Sequence, residues 1–251
     1  MSAQSILNSE ETLTHVFLIR FELKLTSRLQ SEMAKESANV PSIGDALALE
    51  LKSIALWVIE HLKPIDSKGV ALELQNVVCR HDLERLQCLI YLSLCEPKVI
   101  VDGFMPELSE CIGMALEQSS FKPLPALQDE QAEGFGLSRL SQLSDLPGPS
   151  HLLKPHVHYV VETDVESGWW NEINDWYAQE HLPGLASVPG CVMAKRYVNL
   201  DAGPRSFACY DLLTQDVLLS PEWLAVRATP WSSKARPHFL NTKRDVFPLV
   251  L

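Results

Sequence analysis

The sequence predicts an α+β fold of two βαββαβ repeats packed sheet to sheet, and three observations predict it. The C-terminal portion reads β-α-β-β-α-β, the N-terminal portion reads in the same order, and the strands of both are apolar on both faces. A βαββαβ unit lays its helices on one sheet face and leaves the other bare. Runs such as Val16-Phe-Leu-Ile19, Leu89-Ile-Tyr-Leu92 and Ala208-Cys-Tyr210 therefore need a second covering layer, and the other repeat's sheet supplies it.

The C-terminal repeat is the plainer of the two. His156-Val-His-Tyr-Val-Val-Glu162 is β-branched and aromatic and reads as a strand. A helix follows from Gly168 to about Leu182, and Pro183-Gly184 and Pro189-Gly190 break the chain after it. Cys191 to Val198 and Arg205 to Leu213 form a hairpin around Asp201-Ala-Gly-Pro204. Ser220-Pro221-Glu222 opens a helix, with a capping serine, a proline in the first turn and an acid at the positive dipole end. Phe239 to Leu251 is the last strand, placed at an edge or bulged because of Pro248.

The N-terminal repeat follows the same plan. Val16 to Phe21 is a strand within Leu13 to Leu25, and Ser42 to Leu62 is a long helix. Gly69 to Cys79 and Arg85 to Cys95 pair around Arg80-His-Asp-Leu-Glu84, and Met105-Pro-Glu107 opens a second helix. The segment around Phe121 is the candidate closing strand. Local echoes join the repeats: His15-Val16 with His156-Val157, Glu60-His-Leu62 with Glu180-His-Leu182, Arg85 with Arg205, and Pro106-Glu-Leu108 with Pro221-Glu-Trp223. An extra polar stretch, Thr26 to Pro41, is inserted in the first repeat. The expected division is residues 1–127, a linker over 128–155 with a short helical turn at Leu137 to Leu143, and residues 156–251.

Composition narrows the function. Asp plus Glu is 32 against 21 Lys plus Arg, a net charge of −11, and no basic stripe is present. That balance argues against nucleic acid and against an anionic membrane as partner. The N-terminus has neither a positive nor an apolar region of the secretory kind, and no apolar run approaches a membrane span, so a cytoplasmic protein is expected. The six cysteines lie in apolar runs without a CxxC pair, which reads as buried free thiols in a reducing compartment and as no metal site. No GxGxxG, P-loop, HExxH or serine elbow is present.

The chemistry-bearing residues concentrate on one helix. At about 100° per residue, Trp169, Ile173, Trp176, Tyr177 and Glu180 share a meridian, with Trp170 and His181 at its rim. An imidazole beside an aromatic stripe suits general acid/base work near neutral pH. The bland alternative for His181 is a hydrogen bond at the helix end. Glu180 either orients the histidine, binds a substrate hydroxyl or serves as a surface carboxylate. His61 sits within the apolar stripe of the first-repeat helix and has the same two readings. His158 alternates with Val157 and Tyr159 and faces either layer, as a ligand or as a core histidine. Arg196, Tyr197 and Tyr210 are polar groups on inner strands that can hold a carboxylate, carbonyl or phenol. Trp223 and Trp231 read as core, with Thr229-Pro-Trp231 as a possible lid.

Trp176-Tyr-Ala-Gln-Glu180-His181-Leu182-Pro183, with Val188-Pro-Gly190, Arg196-Tyr197 and Phe207-Ala-Cys-Tyr210, resembles the EthD-like branch of the dimeric α/β-barrel superfamily over residues 156–251. The resemblance implies ferredoxin-like units paired through their sheets, here as an intramolecular dimeric α/β barrel, with His181 of the HLP motif pointing into a cavity. The first repeat keeps only Glu60-His61-Leu62, carries Gln75-Asn76 where the Arg-Tyr pair would fall, and is expected to be a degenerate partner.

The expected function is a cofactor-independent small-molecule enzyme, a lyase or isomerase of the cyclase, dehydratase or decarboxylase kind, acting on a polyketide-like or aromatic substrate. His181 and Glu180 are its catalytic residues, and Tyr177, Trp176, His158, Arg196, Tyr197, Tyr210 and His61 bind substrate. A cofactor-free or haem-assisted monooxygenase and a non-catalytic binding protein are the alternatives. The partner is a small-molecule substrate, and the chain is a monomer with an internal pseudo-dimer or a homodimer.

Overall fold

The computed structural model describes residues 15–24, 43–61, 72–81, 85–94, 104–118 and 135–249. The first repeat consists of β1 (His15–Lys24), α1 (Ile43–His61), β2 (Leu72–His81), β3 (Arg85–Leu94), α2 (Phe104–Gln118) and β4 (Phe135–Pro147). The second opens with β5 (Val157–Val165). A helical run follows, made of α3 (Trp170–Trp176), a π turn (Tyr177–His181) and α4 (Leu182–Ala186). Next come β6 (Cys191–Asn199), β7 (Ser206–Leu212), α5 (Pro221–Arg227), α6 (Pro230–Ala235), a 3₁₀ turn (Arg236–His238) and β8 (Phe239–Pro248).

All eight strands form one antiparallel sheet in the order β2-β3-β1-β4-β6-β7-β5-β8. The first four repeat the spatial order of the last four, so each repeat is a ferredoxin-like unit and the duplication is visible in the topology. Strand β4 pairs with β6 to join the repeats, and the sheet curls until its edge strands β2 and β8 touch. The result is an intramolecular dimeric α/β barrel.

Alternation along the strands supplies three apolar layers. In β1, Phe17 and Ile19 face α1 and α2, whereas Val16 and Leu18 face the barrel interior. The interior also takes Tyr91, Val160, Tyr197 and Phe207 from both repeats, and the third layer lies between the second repeat's strands and its helices. Cys191 and Cys209 are buried free thiols, and Cys111 is buried as well.

Polar clamps fix the relation of the repeats. Arg139 on β4 grips Asp201 in the β6–β7 turn through Nη2 at 2.6 Å and Nε at 3.0 Å to Oδ1, while its backbone N–H donates to Oδ2 at 2.7 Å. Burial alone would raise the Asp201 pKa, but these bonds and the guanidinium charge outweigh it and lower it. Inside the barrel, Arg20 of β1 pairs with Glu162 of β5.

The segment expected as linker contains β4, and this is a correction. Leu137, Leu140, Leu143 and Leu146 recur at a helix-like spacing, yet the segment expected to hold a short helical turn is extended. Pairing with β1 on one side and β6 on the other makes the segment a strand, and a bulge between Gln142 and Ser144 leaves Leu143 exposed, out of step with its neighbours. The candidate strand at Phe121 and the insertion at Thr26 to Pro41 lie outside the described residues.

The chain leaves β4 through Gly148, whose N–H donates to the Val192 carbonyl at 2.9 Å. A Cβ at this position would collide with the Cys191 carbonyl and stand 2.9 Å from that of Ala186, both of them backbone. Gly148→Ala is therefore expected to cost about 2 kcal/mol, measured as a lowered midpoint in urea with an unchanged m-value. An unchanged midpoint would contradict this close approach. Among the described residues, no helix is long and apolar enough to cross a membrane.

Candidate functional site

The helical run of the second repeat explains how its functional side chains come together. Gly168, at φ +88°, lets the chain turn into α3, a conformation that suits glycine. At the far end Pro183 lacks an N–H, and in an unbroken α-helix its ring would press on the carbonyl four residues earlier. The π turn relieves this: the Leu182 N–H reaches back to the Tyr177 carbonyl, a wider loop that makes room before the proline. The helix thus continues through Pro183-Gly184 to Ala186, beyond the expected stop near Leu182.

The π turn also re-aims the side chains. In a regular α-helix, residues five apart lie about 140° apart around the axis. Here Trp176 and His181 are stacked, with ring centroids 4.0 Å apart and planes at 20°. His181 moves from the rim of the aromatic stripe into it and is 7% exposed. Glu180 is carried off that face, and its Oε1 accepts from the Thr229 hydroxyl at 2.6 Å, tying the π turn to the start of α6.

These side chains line a cleft of about 360 Å³, counting its open mouth, between the outer face of the second repeat's sheet and its helices. The floor is Tyr159, Val161 and Tyr210, and one wall is Trp176, Tyr177 and His181. Trp223 stands edge-on to Tyr210 at 5.2 Å, and Phe239 closes the end. Leu185, Arg227, Arg236 and Arg244 complete the lining, and among the described residues no carboxylate contributes to it. Beneath the wall lies Arg196, 2% exposed, its guanidinium 4.0 Å from the Tyr177 ring centroid. Its Nη1 donates to the Tyr197 and Phe207 carbonyls at 3.0 Å each.

The electrostatics follow from burial beside cations. His181 is pulled down to about 3 by burial first and then by Arg236, Arg227 and Arg196, so the imidazole is neutral at neutral pH. Its Nδ1 is buried without a hydrogen-bond partner, as is the Trp176 Nε1. Burial also raises Tyr177 and Tyr210, which stay protonated and remain donors. The site therefore offers a neutral base, phenol donors and guanidinium charge around an aromatic slot.

The other sequence candidates lie elsewhere. Tyr197 and His158 point into the barrel interior. The His158 Nδ1–H donates to the Asp211 carboxylate at 2.6 Å, and Nε2 lies 3.2 Å from the Tyr91 hydroxyl of the first repeat. His61 is exposed at the end of α1, stacks on Trp57 at 4.0 Å, and donates from Nδ1 to the Trp57 carbonyl at 3.0 Å. That is the helix-end reading of this residue. Of the nine candidates, Trp176, Tyr177, His181 and Tyr210 meet in the cleft, with Arg196 against its wall and Glu180 at its back. The three arginines and Tyr159 were not singled out from sequence. They come from separate elements, and no local spacing connects them.

No family model matches the chain, and no curated protein matches it. Solved structures do. A putative monooxygenase from Fusobacterium nucleatum aligns over 95% of this chain and 93% of its own, at 9% identity and TM-score 0.55. An anthrone oxidase-like protein aligns over 96% and 93%, at 14% identity and TM-score 0.52. A chlorite dismutase variant from Candidatus Nitrospira defluvii, in complex with cyanide, aligns over 99% and 95%, at 10% identity and TM-score 0.50. Identities this low establish the shared fold alone.

A haem on His181 does not fit this cleft. Trp176 covers one face of the imidazole, Tyr177 stands edge-on to it at 5.4 Å, and Nδ1 is buried, so a macrocycle has no flat slot beside Nδ1. Among the described residues, no group of His, Cys, Asp and Glu could hold a metal ion.

Proposed function

We propose that the chain is a small-molecule enzyme that removes a proton from an aromatic or enolisable substrate without a cofactor, with His181 as the base. The observation that carries this is a neutral imidazole, buried with an orphaned Nδ1, on the wall of an aromatic cleft whose cations favour the negative charge that deprotonation creates. The proton passes from a substrate carbon or phenol to a ring nitrogen of His181. The anion left behind is stabilised by the Tyr177 and Tyr210 hydroxyls and the nearby guanidinium groups. Glu180 positions rather than reacts, because its carboxylate is held by Thr229. The EthD-like run from Trp176 to Pro183 supports the same placement of the base.

Two fates are open to the anion. Reprotonation elsewhere or loss of a leaving group gives an isomerase or lyase, the reading preferred here because the site requires no further reactant. Reaction with dioxygen would give a cofactor-free monooxygenase, and the names of two of the structural neighbours favour including it.

The test is to incubate the purified protein in D₂O with a panel of enolisable aromatic ketones and phenols, following deuterium incorporation by NMR and dioxygen uptake with an electrode. Exchange or conversion without dioxygen uptake supports the isomerase or lyase reading, and uptake coupled to turnover supports the oxygenase. Binding with neither exchange nor turnover across the panel would leave a carrier and overturn the enzymatic reading.

A further inference from the structure

We propose that the cleft is built for an anion and that its ligand is a small aromatic carboxylate, held by Arg227, Arg236 and Arg244 with its ring against Tyr159 and Phe239. This rests on the reading of the cleft as the reaction site and adds the substrate class.

Three guanidinium groups from three elements, the end of α5, the 3₁₀ turn and β8, converge on one slot. Arg236 Nη1 donates to the Arg227 carbonyl at 3.3 Å, which holds two of the three elements together at the cleft. In a chain with 32 acidic and 21 basic residues, carboxylates are the abundant partner, yet among the described residues none lines the cleft. Among the described residues, none of the three arginines forms an ion pair with a carboxylate, whereas Arg20, Arg139 and Lys234 all do. Arg227 in the last turn of α5 also complements the negative helix end, but Arg236 and Arg244 have no such role. Burial and the repulsion of Arg227 and Arg244 depress the Arg236 pKa, as expected where like charges gather.

The slot fixes the rest of the ligand. Aromatic faces on floor and wall suit a planar ring. A planar carboxylate accepts two parallel bonds from a guanidinium, a geometry that a lysine cluster would not provide.

The test uses the full-length protein and isothermal titration calorimetry with benzoate, its neutral isostere benzamide, and benzylamine. Benzoate is expected to bind at least about tenfold tighter than benzamide, to weaken as salt rises, and to outcompete benzylamine. Arg236→Gln and Arg244→Gln should each weaken benzoate by about tenfold while leaving benzamide and the melting temperature unchanged. Equal affinity for benzoate and benzamide, absence of benzoate binding at millimolar concentration, or well-folded Gln variants that bind benzoate like the parent would each overturn the assignment. His181→Ala separates the two readings. If benzoate still binds but this variant turns over like the parent, the base is wrong and the anion site stands. If the variant is inactive and benzoate fails the comparison with benzamide, the anion site is wrong and the base stands.

Discussion

Replacing His181 with alanine is expected to lower turnover by about 10²-fold or more, with the fold intact. The side chain lines an open cleft, so truncation enlarges the cleft without creating a sealed cavity, and the π turn is held by backbone bonds and by Glu180 to Thr229. Exogenous imidazole should restore part of the rate, which a structural role would not allow. The pH profile is a second measurement. Because burial and three arginines bring His181 to about 3, the acid limb of kcat/KM should lie far below the ordinary histidine range. The stability sign agrees: with its pKa depressed, the group's contribution is complete above about 6.5 and is lost as pH falls towards 3. His181→Ala should flatten that acid loss in a denaturant titration. Turnover equal to the parent would remove His181 from the mechanism.

The second large effect lies on the other side of the sheet. His158 is buried in the barrel, where burial lowers its pKa; the Asp211 bond and charge, with Cys209, outweigh this and raise it to about 9. The imidazole is then charged at neutral pH, with Nδ1–H donating to Asp211 and Nε2–H to the Tyr91 hydroxyl, a phenol kept protonated by its own burial. A histidine pKa raised on folding contributes stability that is fully present below about 6.5 and is lost as pH rises through 9. The expected loss across that window is roughly 3 kcal/mol, read as a falling urea midpoint. His158→Asn should remove the slope. Asp211→Asn should lower the His158 pKa, because the largest opposition to burial is then lost. A parent protein equally stable at the two ends of the window would contradict the charged pair. Since Tyr91 belongs to the first repeat and His158 to the second, this pair also helps set the register between them.

Much of the fold was legible because the physics behind it is local. The β-branched and aromatic runs of β1 and β5, the capping serine at Ser220, whose Oγ accepts the Trp223 N–H at 3.2 Å, and the turn at Asp201 each act within a few residues. The doubled order of elements then required two sheets with both faces covered. Strand β4 was illegible for the opposite reason: its leucines follow a helix-like spacing, and only pairing with β1 and β6, together with a bulge, makes them a strand.

The site divides along the same line. Sequence by itself determined that an imidazole and an aromatic stripe share one helix, because side chains three and four apart meet wherever that helix lies. Tertiary structure decided which of those groups enter the cleft. Pro183 and the π turn bring His181 onto Trp176 and carry Glu180 away, the sheet's pleat sends His158 and Tyr197 inward, and three distant elements bring their arginines to one mouth. Periodicity reports direction only within an element. Proximity between elements, and the burial that sets each group's charge, exists only once the barrel has closed.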